Sequence, residues 1–238
     1  MVNLILICVY TILKQINFIQ GVIVMFKFRE PVSGLTHLFG ALASILGMIL
    51  LIQYSISNKN ILNIVVSIIF GISLILLYSA SAIYHLTRAS KKVIKILRRI
   101  DHSMIYVLIA GTYTPICLIG LKGTLGLTFL ISIWALAIAG ILLKIFWFNA
   151  PRWLYTFFYV LMGWLAVFAI YPLVKSITLS GVLWLIAGGI SYTLGAALYA
   201  TKWPKLNLKF FGFHEIFHIF VLIGSGCHYW LVLRYLIS

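Results

Sequence analysis

The chain has 238 residues, 63% of them hydrophobic and only 9% charged, with a mean hydropathy of +1.14. A soluble globular domain carries roughly a quarter charged residues, so the composition excludes that class and points to an all-α, polytopic membrane protein. The net charge is +15, yet the bases fall in short gaps between apolar stretches, as the positive-inside rule places them, which argues against nucleic acid as a partner. Cys8, Cys117 and Cys227 are scattered and form neither a disulfide framework nor a CxxC metal site.

Residues 2–24 are apolar but interrupted by Lys14, Gln15, Asn17 and Gln20. No basic n-region precedes them and no small-residue cleavage site follows, so they read poorly as a signal peptide. Residues 1–26 are therefore expected to be an N-terminal extension (interfacial, spanning or an artefact of an upstream start) before a membrane domain over 27–238. Pro31 suits a first helical turn. A first span is expected over 34–54, with the small residues Gly40, Ala41, Ala43, Ser44 and Gly47 on offer for close helix contact. A second covers 61–86 and ends with Ser81 and His85, four apart and on one helix face. Residues 88–99 hold Arg88, Lys91, Lys92, Lys95, Arg98 and Arg99 around Val93, Ile94 and Leu97, which predicts a short interfacial helix. A third span runs over 101–121, with a kink expected at Pro115. Spans four to seven are expected over 124–146, 153–172, 179–200 and 213–236, each of about the 20 residues a bilayer needs.

Seven spans divide the bases unevenly. Fourteen of the 18 fall in one alternate set of gaps, leaving Lys59, Lys122, Lys175 and Arg234 in the other. This split predicts a cytoplasmic N-terminal side and an external C-terminus in a multi-pass protein of the cell membrane.

The acids are few. Glu30, Asp101 and Glu215 are the whole set, and each lies within seven residues of a histidine. Charge inside a bilayer is expensive and marks function. The topology places His37, Ser81, His85, Asp101, His102, His214, Glu215 and His218 at one depth, on four helices. His214 and His218 are four apart, as two imidazoles gripping one metal require, and H-E-x-x-H is a zinc-hydrolase signature. A catalytic zinc takes about three protein ligands and an open position. Metzincin spacing would put the third histidine at 224, which is Gly224. The third ligand must come from another helix, and His85 is the candidate, one turn from Ser81 at the same depth. Asp101 would then deprotonate or position water, and Ser81 would hydrogen-bond water or substrate. Position alone leaves other roles open. Asp101 also suits a cap on helix three or a pair with Arg98 or Arg99, and His85 a helix-end bond to a loop. Glu30 reads as a structural charge beside Arg29, and His37, His102 and His228 as packing or supporting residues. Glu215 points about 100° away from His214 around the helix and is left out of the catalytic set.

Glu30, Ser33 and His37 form E-x-x-S-x-x-x-H, Ser81 and His85 form S-x-x-x-H, Asp101 follows, and His214 and His218 form H-x-x-x-H. In this order they resemble the hemolysin III proteins, which group with the adiponectin and progestin receptors and, more distantly, the alkaline ceramidases. The resemblance covers about 27–238. Ser33 departs from it, since the family more often has Asn there. It implies seven helices and one zinc ion near the cytoplasmic face, bound by His85, His214 and His218 and flanked by Asp101 and Ser81. The implied activity is hydrolysis of lipid amides, with membrane lipids as substrate or ligand. Three other functions compete: a membrane sensor with structural zinc, a cytolytic protein of the hemolysin type, and an intramembrane protease. No channel-lining polar stripe supports a pore, and the motif's place in the last span with no later acid argues against a protease. Short loops offer no evident soluble protein partner.

Overall fold

Backbone amides in a bilayer have no water to bond, so a long apolar run must close its hydrogen bonds within itself. The computed structural model describes residues 28–147, 151–205 and 211–238, and every regular element among them is helical. In chain order these are α1 (Pro31–Ser57), α2 (Ile61–Leu86), α3 (Lys91–Pro115), α4 (Gly123–Phe146), α5 (Arg152–Trp164), α6 (Ile170–Thr201) and α7 (Phe213–Leu231). The extension over 1–26 lies outside the described residues.

Local chemistry sets several boundaries. Pro31 occupies the first turn of α1. The Asn60 side chain accepts from the Asn63 amide at 3.2 Å and caps α2, and Ser90 accepts from the Val93 amide at the start of α3. One detail differs from the sequence expectations. The basic segment 88–99 is not a separate helix: α3 begins at Lys91 and continues through Asp101 into the third span. No glycine or proline interrupts Arg98-Arg99-Ile100-Asp101, so nothing stops the helix there. At Pro115 the chain widens into a π-helical turn over Ile116–Leu121, the local adjustment available where proline removes a backbone donor.

Among the described residues, six helical stretches are long and apolar enough to cross a membrane, and the chain is a multi-pass membrane protein. One of the six, Trp153–Thr201, has 49 residues. It is not one straight rod. A 3₁₀ turn occupies Leu165–Ala169, and the backbone leaves helical geometry at Ile177 and at Thr178, whose φ is 64°.

Tyr78, Tyr106, Leu74, Leu77, Ile116 and Leu173 are among the side chains at the centre. Phe39, Leu46, Phe146 and Phe168 are exposed on the outside, a surface suited to acyl chains. The predicted close contacts of α1 are present: a Cβ on Gly40 would collide with Tyr78 and Leu222.

Candidate metal centre

The start of α1, the end of α2 and the start of α7 are fastened together. The Glu30 amide donates to the His85 carbonyl at 3.0 Å. The Ser33 hydroxyl donates to the Glu215 carboxylate at 2.6 Å, and that carboxylate also accepts from the Gly212 amide at 2.7 Å. Glu215 is thus a cap and an interhelix clasp, which accounts for its place beside the two histidines.

This fastening gathers His85, His214 and His218. One ring nitrogen from each lies within 4.8 Å of the others. Nε2 of His85 and Nε2 of His214 are 3.2 Å apart. The outward nitrogens of His218 and His85 have partners. His218 Nδ1 faces the Ser33 carbonyl at 3.1 Å, so it carries the proton and leaves Nε2 with a lone pair. His85 Nδ1 is hydrogen-bonded to the Glu30 carboxylate, the carboxylate–histidine arrangement that orients metal ligands. Zinc–imidazole bonds of 2.0–2.1 Å in tetrahedral geometry put two nitrogens about 3.3 Å apart. The three donors thus lie close enough to hold a metal ion, their number and type suit zinc, and the His85–His214 pair has its spacing.

Around Glu30, burial tends to raise its pKa. The hydrogen bond and charge of His85, with the charges of Arg29 and His214, outweigh burial and hold it below its ordinary 4.5. Arg29 lies 3.4 Å from Glu30 and rests over the Tyr84 ring. The sequence reading of Glu30 as a mere helix-end charge thus missed its contact with a metal-ligand candidate. The E-x-x-S-x-x-x-H motif was the available signal.

Ser81 and Asp101 are both buried. Both line one cavity of about 380 Å³ with His214 and His218, walled by Leu77, Ile105, Leu108, Phe217 and Val221. Four of the five residues singled out from the sequence thus line this cavity, and the fifth, His85, adjoins it through His214. His37 stacks on His218 with ring centroids 3.6 Å apart and 10° between planes. His102 Nε2 sits 4.0 Å from the Asp101 carboxylate. His228 bonds the Leu185 carbonyl through Nε2, matching the packing role expected of it.

A family model for haemolysin-III related proteins matches residues 25–229. The chain belongs to the haemolysin III family. It is 42% identical to the Hemolysin-3 homolog of Bacillus subtilis over 90% of this chain and 98% of the relative. It is 41% identical to Hemolysin-3 of Bacillus cereus over 88% of this chain and 92% of the relative. A more distant match, at 24% identity over 84% of this chain and 82% of the relative, is Monocyte to macrophage differentiation factor of Homo sapiens, from the adiponectin and progestin receptor family. The haemolysin III match spans all five of the residues singled out from the sequence.

Proposed function

We propose that this haemolysin III protein is a zinc-dependent hydrolase of lipid amide bonds, working from a cavity near the cytoplasmic face of the cell membrane. The observation that carries this reading is a cluster of three imidazole donors, two of which, His214 and His218, line one apolar-walled cavity together with Ser81 and Asp101. The three-histidine set supports an open catalytic site over a closed structural one, which would take four protein ligands.

His85, His214 and His218 would hold the ion. Zinc, when bound, acidifies water and polarises a carbonyl. The chain's own residues do the rest. The Asp101 carboxylate takes a proton from the attacking water and returns it to the leaving amine. The Ser81 hydroxyl keeps that carboxylate in place. Glu30 and the Ser33 carbonyl hold His85 and His218 so that neither ring turns away. The apolar walls admit an acyl chain and shed water.

The topology belongs to the same reading: seven crossings with the N-terminal side in the cytoplasm. A helix of 49 residues would extend roughly 70 Å, against a hydrocarbon core of about 30 Å. The break at Thr178 supports counting that stretch as two crossings. The uneven division of bases supports the orientation.

Metal content of the purified protein, measured by mass spectrometry beside a His214→Ala/His218→Ala variant, tests the site. One zinc per chain, absent from the variant, is expected, with N-acyl sphingosine hydrolysis lost in both that variant and Asp101→Ala. No zinc in the wild type after zinc-supplemented expression would remove the hydrolase reading. A second reading, membrane perturbation, is favoured by the name of the Bacillus cereus relative. Liposome leakage that persists in the histidine variant would support it.

A further inference from the structure

The cavity beside the histidines reaches the outer surface of the helix bundle. Four of the residues that line it, Gly163, Trp164, Gly189 and Thr193, are themselves exposed or part-exposed. The first two end α5 and the last two belong to α6. A Cβ on Gly163 or on Gly189 would meet nothing within 4 Å among the described residues, so the wall is thin where these helices face each other. Trp164 Nε1 reaches across this seam and donates to the Thr193 hydroxyl at 2.8 Å. Thr193 in turn donates to the Gly189 carbonyl at 2.7 Å.

The depth of the seam follows from its neighbours on α7. The Ser191 hydroxyl donates to the Phe220 carbonyl at 2.8 Å, and a Cβ on Gly188 would meet the His228 ring. Residues 188–193 of α6 therefore run beside residues 220–228 of α7. Phe220 and His228 lie roughly 10 and 22 Å along the axis from Phe213, where α7 begins. A hydrocarbon core is about 30 Å thick, so the seam opens among acyl chains. None of its four residues carries a charge, which suits a neutral lipid. The Trp164 side of the seam also has room to move. Trp164 is the last residue of α5 before the 3₁₀ turn over Leu165–Ala169, and short 3₁₀ stretches within longer helices often mark hinges.

We infer that the lipid amide enters the cavity sideways from the bilayer, acyl chain first, through the seam between α5 and α6. Trp164 and Thr193 form the bar across it, and Gly163 and Gly189 leave the gap for the chain. This deepens the lipid-hydrolase reading and rests on it for the cavity being where the lipid is held. Swinging Trp164 outward breaks one exposed hydrogen bond and places an apolar ring among lipid tails, so opening is cheap in a bilayer.

Uptake tests this without requiring turnover. The probe is a short-chain, rapidly partitioning N-acyl sphingosine with a diazirine in its acyl chain, added to vesicles holding the full-length protein. Photolysis at successive times, followed by mass spectrometry, reports labelling of Leu108, which is 4% exposed and lines the cavity. Thr193→Val removes the acceptor of the bar and should speed labelling about 2- to 10-fold, the worth of one hydrogen bond, with an unchanged plateau. Gly189→Trp fills the gap and should slow labelling about tenfold or more. Gly163→Leu gives the same test if that variant fails to fold. In a Trp164→Cys/Thr193→Cys variant loaded with probe and then joined by a reducible bis-maleimide, the lipid should stay trapped on dilution into empty vesicles and leave after reduction. The single-cysteine variants control for Cys117 and Cys227. Unchanged rates in both Thr193→Val and the gap-filling variant, an altered plateau at unaltered rate, or equal release from joined and unjoined protein would each overturn the inference. The His214→Ala/His218→Ala variant should fill at the wild-type rate, and a rate that collapses with the histidines would place the entry at the metal centre instead. Uptake through the seam with no lipid amide hydrolysis would sink the hydrolase reading alone.

Discussion

Replacing Glu30 tests whether the carboxylate behind His85 serves the metal centre. His85 is 1% exposed, whereas the Glu30 side chain is 42% exposed. Water therefore screens part of the carboxylate's charge, but little water reaches the imidazole. Loss of such an orienting partner costs about 10- to 100-fold in metal affinity. Glu30→Gln keeps an oxygen that can accept from Nδ1 and removes only the charge, so its loss belongs near the lower end, about tenfold or about 1.4 kcal/mol. Glu30→Ala leaves a buried N–H without its acceptor and belongs near the upper end, about 100-fold. Competition against a chromogenic zinc chelator in detergent measures both. Zinc affinity unchanged in the two variants would refute the reasoning, because the hydrogen bond would then be a helix clasp with no bearing on the ring. The same pair has a pH signature. A carboxyl whose folded pKa lies below its ordinary 4.5 adds stability above that value, and this contribution is lost as pH falls through the folded pKa. The melting-temperature gap between wild type and Glu30→Gln is therefore expected at neutral pH and should close under acid.

Asp101→Asn should retain one zinc and lose about 100- to 10,000-fold in lipid amide hydrolysis, the range for a general acid–base group; parallel loss of metal would recast Asp101 as a structural part of the metal centre. Tyr113 accepts from the Ala166 amide at 2.7 Å and donates to the Gly163 carbonyl at 2.8 Å, bracing the 3₁₀ turn. Tyr113→Phe should destabilise by about 1–3 kcal/mol through the orphaned amide, read as a lower melting temperature in detergent. A Cβ at Gly126 would run into the Cys117 carbonyl, a backbone atom. Gly126→Ala is thus expected to cost about 1–3 kcal/mol, and an unchanged melting temperature would show that this close approach is absent.

Much of the architecture is written in local pattern. Apolar runs longer than a globular core needs have one solution in lipid, so the helices of the membrane domain follow from composition and length. The i, i+4 spacing of His214 and His218 and of Ser81 and His85 likewise follows from helix geometry without tertiary information. The fusion of 88–99 with the third span was concealed because a cluster of bases resembles a boundary in hydropathy, while the backbone needs a breaker to end a helix. Other features depended on residues distant in sequence. His85 meets Glu30 and Ser33 meets Glu215 through packing of different helices. Pattern along one helix specifies which residues share a face, but rotation and depth against neighbouring helices decide what that face meets. For that reason the shared face of His214 and His218 was legible in the sequence, while the contact of Glu30 with His85 and the clasp that Glu215 makes with Ser33 emerged only from the tertiary structure.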